Sequence, residues 1–268
     1  MKILWLTDLH LDRASEEKQR RFFSRLRQEN ADTAVITGDI SDARRLPGHL
    51  KILAQSFGAR PIYFVLGNHD FYGSNLCDVD RSVSAVCGEY KNLRHLGHGE
   101  IIPLGSGAAL VGHRGWADGR AGYGSRTEIP NPDRKMIADL CGLSDQAMFD
   151  KLAELGKESA NYFRDVLPYS LKCYEHVWVA THVPPFTWAA FYDGKPCGRH
   201  HLPHYTNLSA GSAIYGICKQ FPKSRLTVLC GHTHSATHVR ASERIQVLVG
   251  EARTKYPQMQ QLFISKNR

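Results

Sequence analysis

No apolar run in this 268-residue sequence approaches the length of a bilayer-spanning helix, so no membrane partner is expected. The opening Met1-Lys-Ile-Leu-Trp-Leu-Thr-Asp8 is too short and too soon charged for a signal peptide, and a cytoplasmic protein is the expectation. The seven cysteines (Cys77, Cys87, Cys141, Cys173, Cys197, Cys218 and Cys230) are odd in number, scattered, and never paired as Cys-x-x-Cys. That argues against a disulfide framework or a zinc ribbon, and for free thiols in a reducing compartment. Internal repeats and low-complexity linkers are also missing, and so is any long basic run. The net charge of +8 favours anionic partners, but its dispersal gives no separate case for nucleic acid.

What is present is a 42% hydrophobic chain, enough for one large core, with fourteen histidines as a first hint of metal. Strands are expected at Ile3–Thr7, Thr33–Thr37, Pro61–Leu66, Leu93–Leu96, Ile101–Leu104, Ala108–Gly112, His176–Ala180, Arg225–Cys230, Ile245–Val249 and Gln260–Ile264. Helices are expected at Ser15–Asn30, Leu50–Phe57, Ser144–Val166 and Ser209–Phe221. The order is β-α-β-α-β first and richer in adjacent strands later. Two packed mixed β-sheets flanked by helices, an α/β (mixed α+β) fold, fit this better than one doubly wound sheet. Two stretches resist assignment: Gly112–Arg134, rich in Gly and Arg, and Phe186–Ala210, rich in aromatics and His.

Followed to their ends, five strands each deliver Asp, Asn or His as they leave the core. They end in Asp8-Leu-His10, Gly38-Asp39, Gly67-Asn68-His69-Asp70, Thr181-His182 and Gly231-His232-Thr-His234. Each alone reads as a turn. Together they place metal-ligand residue types at the carboxyl ends of strands, where ligands gather in such folds.

These five blocks, in this order and spanning residues 8 to 234, resemble the signature of the calcineurin-like metallophosphoesterases. The resemblance implies a four-layer αββα sandwich, here a single domain over 1–268 with a lid insertion around 186–210. It implies two divalent metal ions, with Asp8, His10, Asp39 and His234 holding one. Asp39 would bridge to a second, held also by Asn68, His182 and His232. A hydroxide bridging the ions would attack a phosphodiester or phosphomonoester, with His69 as phosphate-contacting general acid and Asp42 as its orienting carboxylate. The residues agree in charge: two dications less Asp8 and Asp39 leave a positive site for a phosphate oxyanion. Mixed N and O ligation without Cys suits Mn, Fe or Zn.

Asp42 is also placed as a helix N-cap, and the two roles are compatible. Ala43 follows it where the family's protein phosphatases carry Arg, and the third block ends in Asp70 rather than Glu. The blocks resemble most the small bacterial phosphodiesterase and phosphomonoesterase branch. A nuclease or nucleotide phosphodiesterase is the alternative, so nucleic acid is an admissible but not a required partner; a non-catalytic binding module ranks third. The run His113–Arg120 is a candidate for placing Arg or Trp beside the phosphate, and Phe186–Ala210 for covering the site. His49, His95, His98, His176 and His238 have no assigned role.

Overall fold

The computed structural model describes residues 1–105 and 107–264. In chain order the first half contains β1 (Lys2–Leu6), α1 (Glu16–Gln28), β2 (Thr33–Thr37), α2 (Leu46–Phe57), β3 (Ile62–Val65), α3 (Leu76–Glu89), β4 (Leu93–His95), β5 (Ile102–Pro103) and β6 (Ala108–Gly112). The second contains α4 (Asp133–Met136), α5 (Asp145–Cys173), β7 (His176–Ala180), β8 (Phe191–Tyr192), β9 (Lys195–Pro196), α6 (Leu202–Tyr205), α7 (Leu208–Cys218), β10 (Arg225–Cys230), β11 (Thr237–Ser242), β12 (Ile245–Val249) and β13 (Met259–Ile264).

One sheet runs β13-β1-β2-β3-β4, the other β11-β12-β10-β7-β6-β5, and β8 and β9 pair separately. Within each large sheet the inner strands are parallel, and β13, β11 and β5 join antiparallel at edges. The expected pair of mixed sheets is therefore present. Alternation along each strand sorts the core into three layers. Ile3, Trp5, Val35, Leu110, Trp178 and Leu229 fill the space between the sheets. Leu4, Leu6, Ala34 and Ile36 face the other way, against α1, α2 and α3. Val177, Val179, Val228 and Cys230 pack against α5 and α7. Strands buried on both faces need near-continuous apolar sequence, as TAVIT and HVWVA show.

Local chemistry sets the helix starts. The Ser15 hydroxyl accepts from Lys18 N and the Ser144 hydroxyl from Ala147 N, each meeting one orphan donor of a first turn. Three expectations need correction. The long helix continues past Val166 to Cys173 with Pro168 inside it, because Leu167 and Leu171 stay buried on its sheet-facing side. Helix α3 lies outside the expected set, and it is fixed by Asn75 accepting from Asp78 N and by buried Val79, Val83 and Val86. Strand β11 is a further addition, a half-exposed edge paired to β12. Among the described residues no helix is long and apolar enough to cross a membrane.

Leu110, fully buried between the sheets, tests the layering. Leu110→Ala should lower the unfolding free energy by about 2–5 kcal/mol in urea denaturation, whereas Ile52→Ala, at an exposed α2 position, should change it by no more than about 0.5 kcal/mol.

Candidate metal centre

The carboxyl ends of β1, β2 and β3 in one sheet and of β7 and β10 in the other open onto the same place. Around it two sets of donor atoms converge. In the first, His10 Nε2 and His234 Nε2 lie 3.0 Å apart, His234 Nε2 is 3.3 Å from Asp8 Oδ1, and His10 Nε2 is 3.7 Å from Asp39 Oδ2. One donor atom from each of these four residues falls within 4.8 Å of all the others. In the second, Asn68 Oδ1 is 3.1 Å from both His182 Nε2 and His232 Nδ1, and those two nitrogens are 3.2 Å apart. His182 Nε2 is 3.3 Å from Asp39 Oδ1. Asp39 thus turns one oxygen to each set.

These spacings can be tested against a metal. Bonds of ~2.0–2.2 Å to a shared ion put neighbouring donors ~2.8–3.6 Å apart in tetrahedral to octahedral geometry. All but one of the separations fall in that range, and the exception exceeds it by a tenth of an ångström. The tautomers fit as well. His182 Nδ1 donates to the Thr37 carbonyl at 2.8 Å and His232 Nε2 to the His204 carbonyl at 2.8 Å, leaving the other nitrogen of each ring free toward the centre.

Electrostatics point the same way. Burial, then the charges of Asp8 and Asp70, holds the Asp39 carboxyl well above the usual carboxylate range. Burial alone would raise Asp8 too, but the hydrogen bond and charge of His234, with His182 and His10, bring it well below that range. Burial pushes His10 down to about 3 and His232 to about 4, and lowers His182. His234 moves up: burial opposes this, and its contact with Asp8 outweighs burial. Two carboxylates among mostly neutral imidazoles form an environment that a cation relieves.

The backbone is strained where these side chains leave it. Seven non-glycine residues among those described have positive φ, and five of them are Asp8, His10, Asp39, His232 and His234. Glycine is required beside them for close approach. A Cβ on Gly231 would strike the Asp8 carboxylate and the Thr7 hydroxyl, and one on Gly67 would strike Asp39.

The chain matches the model of the calcineurin-like phosphoesterases over residues 1–236. It belongs to that family. Metal-dependent phosphoester hydrolysis is the chemistry of that family. It is 32% identical over 79 residues to a Danio rerio transmembrane protein with a metallophosphoesterase domain, an alignment covering 28% of this chain and 18% of that relative. A crystal structure of a dimetal phosphatase from Danio rerio superposes with a TM-score of 0.57 at 14% identity, covering 95% of this chain and 88% of that one. A Thermus thermophilus protein gives 0.54 at 15% identity, covering 93% and 88%. At these identities the structural likeness shows the shared fold.

All seven residues expected as ligands stand around the centre of this phosphoesterase. His69 stands at its rim, 19% exposed, with Nε2 3.9 Å from Asp39 Oδ2. Asp42 is a correction. Its carboxylate accepts from Arg45 N and Arg45 Nη1 instead of reaching His69; these bonds brace the turn leading into α2, whose N-cap position is Arg45 and carries no side-chain cap. In its place Arg13 Nη2 lies 3.0 Å from His69 Nδ1, and the Tyr72 ring stacks on the imidazole at 4.1 Å. Burial, then His10 and Arg13, depresses the His69 pKa, opposite to the rise expected from a carboxylate partner. Asp70 accepts from the backbone N–H groups of Ile40, Ser41 and Gly67, tying the second and third blocks together.

The irregular segments divide. Trp116 is buried against Phe71, and Arg114 pairs with Asp80, so the run His113–Arg120 does not turn these two toward the phosphate. The 186–210 segment does lie beside the centre: Tyr205 contacts the His232 ring at 5.2 Å, and Gly194 N donates to Ser235 Oγ. His200 and His204 are engaged with the backbone at Glu128 and Ile129. His238 faces Gln246 on β12, away from the cluster. Sequence reasoning missed Arg13, Tyr72 and Asp133. The first follows the Asp8-Leu-His10 block by three residues and the second follows His69 by three, which was a usable signal. Asp133 had none.

Divalent metal should therefore stabilise the fold. Adding Mn²⁺ to chelator-treated protein at ~100 times its Kd should raise the unfolding free energy by ~2.7 kcal/mol per bound ion. Asp39→Ala should remove most of that gain in thermal melts, and equal melting with and without Mn²⁺ in the unaltered chain would contradict the metal assignment.

Proposed function

We propose that this chain hydrolyses a phosphodiester or phosphomonoester at a two-ion centre, one ion held by Asp8, His10, Asp39 and His234 and the other by Asp39, Asn68, His182 and His232. The observation that carries this reading is the Asp39 carboxylate, with Oδ2 toward one donor set and Oδ1 toward the other. The mixed imidazole, carboxylate and amide donors suit Mn, Fe or Zn. When bound, such ions supply Lewis-acid polarisation of the phosphoryl group and a water-derived nucleophile at neutral pH.

The chain's own residues do the rest. The Arg13 guanidinium is purely a donor, so His69 Nδ1 accepts from it and the proton of the neutral ring sits on Nε2. That N–H faces the centre, where it can hydrogen-bond a phosphate oxygen and the departing oxygen as negative charge develops on it. Arg13 adds positive charge at the same rim. Tyr72 holds the imidazole plane from the other side. The 186–210 segment serves as the lid of a single domain over 1–268, and seven free thiols suit a reducing, cytoplasmic setting.

A second reading, a nucleotide phosphodiesterase or nuclease, is favoured by Trp188 and Tyr192, which are 50% and 51% exposed on the lid. Rings so placed can stack bases. The binding-module reading would need lost ligands, and all seven are present. Phosphomonoesters, diesters, cyclic nucleotides and single-stranded DNA, screened in parallel with metal-reconstituted protein, separate the first two readings. On the best of these substrates His69→Ala should cost about 10²–10⁴ in kcat with metal content unchanged; full activity in that variant would refute its role.

A further inference from the structure

A buried carboxylate outside the donor sets reaches into them. Asp133 opens α4 at the end of the irregular Gly112–Arg134 stretch, 65 residues from Asn68 in sequence. Its Oδ1 accepts from Asn68 Nδ2 at 2.8 Å and from the Tyr72 hydroxyl at 2.6 Å. The segment around it is fastened to the loop that follows the third block. Gly73 N donates to the Met136 carbonyl, Ala138 N to the Ser74 carbonyl, and Leu76 N to the Asp139 carboxylate. Asp133 N in turn donates to Asn131 Oδ1.

We infer that Asp133 is a positioning residue for the second ion, the one held through Asn68, an inference that rests on the two-ion reading above. A primary amide presents oxygen on one side and NH₂ on the other, and only the oxygen can ligate a cation. A carboxylate oxygen accepts but does not donate, so it captures the NH₂ end of Asn68 and leaves Oδ1 facing His182 and His232. Without it the amide is free to rotate its NH₂ inward, where it repels the ion. The same oxygen takes the Tyr72 hydroxyl, whose ring lies against His69. One side chain from an otherwise irregular stretch thereby orients a ligand of one ion and the stacking partner of the phosphate-facing histidine.

The inference separates the two ions, which a general loss of packing would not. Full-length protein stripped by chelator and titrated with Mn²⁺ by calorimetry should bind two ions. Asp133→Ala should weaken one of them about 10–100-fold and leave the other within about threefold. Asp133→Asn, which keeps an acceptor oxygen in place, should recover much of that loss, and Tyr72→Phe should leave both affinities near those of the unaltered chain. Asn68→Ala should match Asp133→Ala, and the double substitution should be no weaker than Asn68→Ala alone. Equal weakening of both ions, unchanged binding in Asp133→Ala, or additive effects in the double variant would overturn the inference. Fewer than two ions in the unaltered chain would instead sink the two-ion reading beneath it.

Discussion

A carboxylate shared between two sets of donors governs the arrangement of everything near it. Asp39 is fully enclosed, its two oxygens face opposite clusters, and its charge is unfavourable there without a cation. Burying such a group unpaired would cost several kcal/mol. The groups around it do not neutralise it: mostly neutral imidazoles, an amide oxygen and one further carboxylate form a donor set that a cation completes. The His69 backbone N–H donates to Asp39 Oδ1, so the residue that faces the phosphate is placed by the same carboxylate.

The two-sheet architecture makes this possible because parallel strands end together. Three strands of one sheet and two of the other discharge their polar residues at one rim, although His234 is more than two hundred residues from Asp8. Turning the chain so sharply after β1, β2 and β10 puts five candidate ligands into left-handed backbone, at about 1–3 kcal/mol each. Local hydrogen bonds hold those turns. Asp8 N donates to the Gly38 carbonyl, His10 N to the Asp39 carbonyl, and Gly231 N to the His182 carbonyl. Asp70 stitches two further blocks. The strain is thus borne by a rigid rim, which suits ligands that must be in place before an ion arrives.

Much of this could be read from the sequence, for identifiable reasons. Strands largely buried on both faces are dense in apolar and β-branched residues, which makes Thr33–Thr37, Ala108–Gly112, His176–Ala180 and Arg225–Cys230 legible with their boundaries. Ile245–Val249, buried at alternate positions, is legible from its β-branched pattern. The ligand types stand next to those boundaries, which made the donor sets legible. Helix α3 was missed because its apolar face is three valines, residues that lean toward strand, although Asn75 and Asp78 carry a capping signal. Strand β11 is a half-exposed edge with little hydrophobic pattern. The orienting partner of His69 was misread because position 42 also suits a helix cap, and Arg45, three residues on, captures its carboxylate. Asp133 lies in a stretch whose conformation depends on hydrogen bonds to a distant loop, and no local pattern encodes such a contact.

Anomalous diffraction from crystals of the full chain soaked in Mn²⁺ tests the shared-carboxylate centre most directly. Two peaks ~3.5–4 Å apart should appear, one beside Asp8, His10 and His234 and the other beside Asn68, His182 and His232, with Asp39 between them. A single peak, or a pair lying away from Asp39, would contradict it.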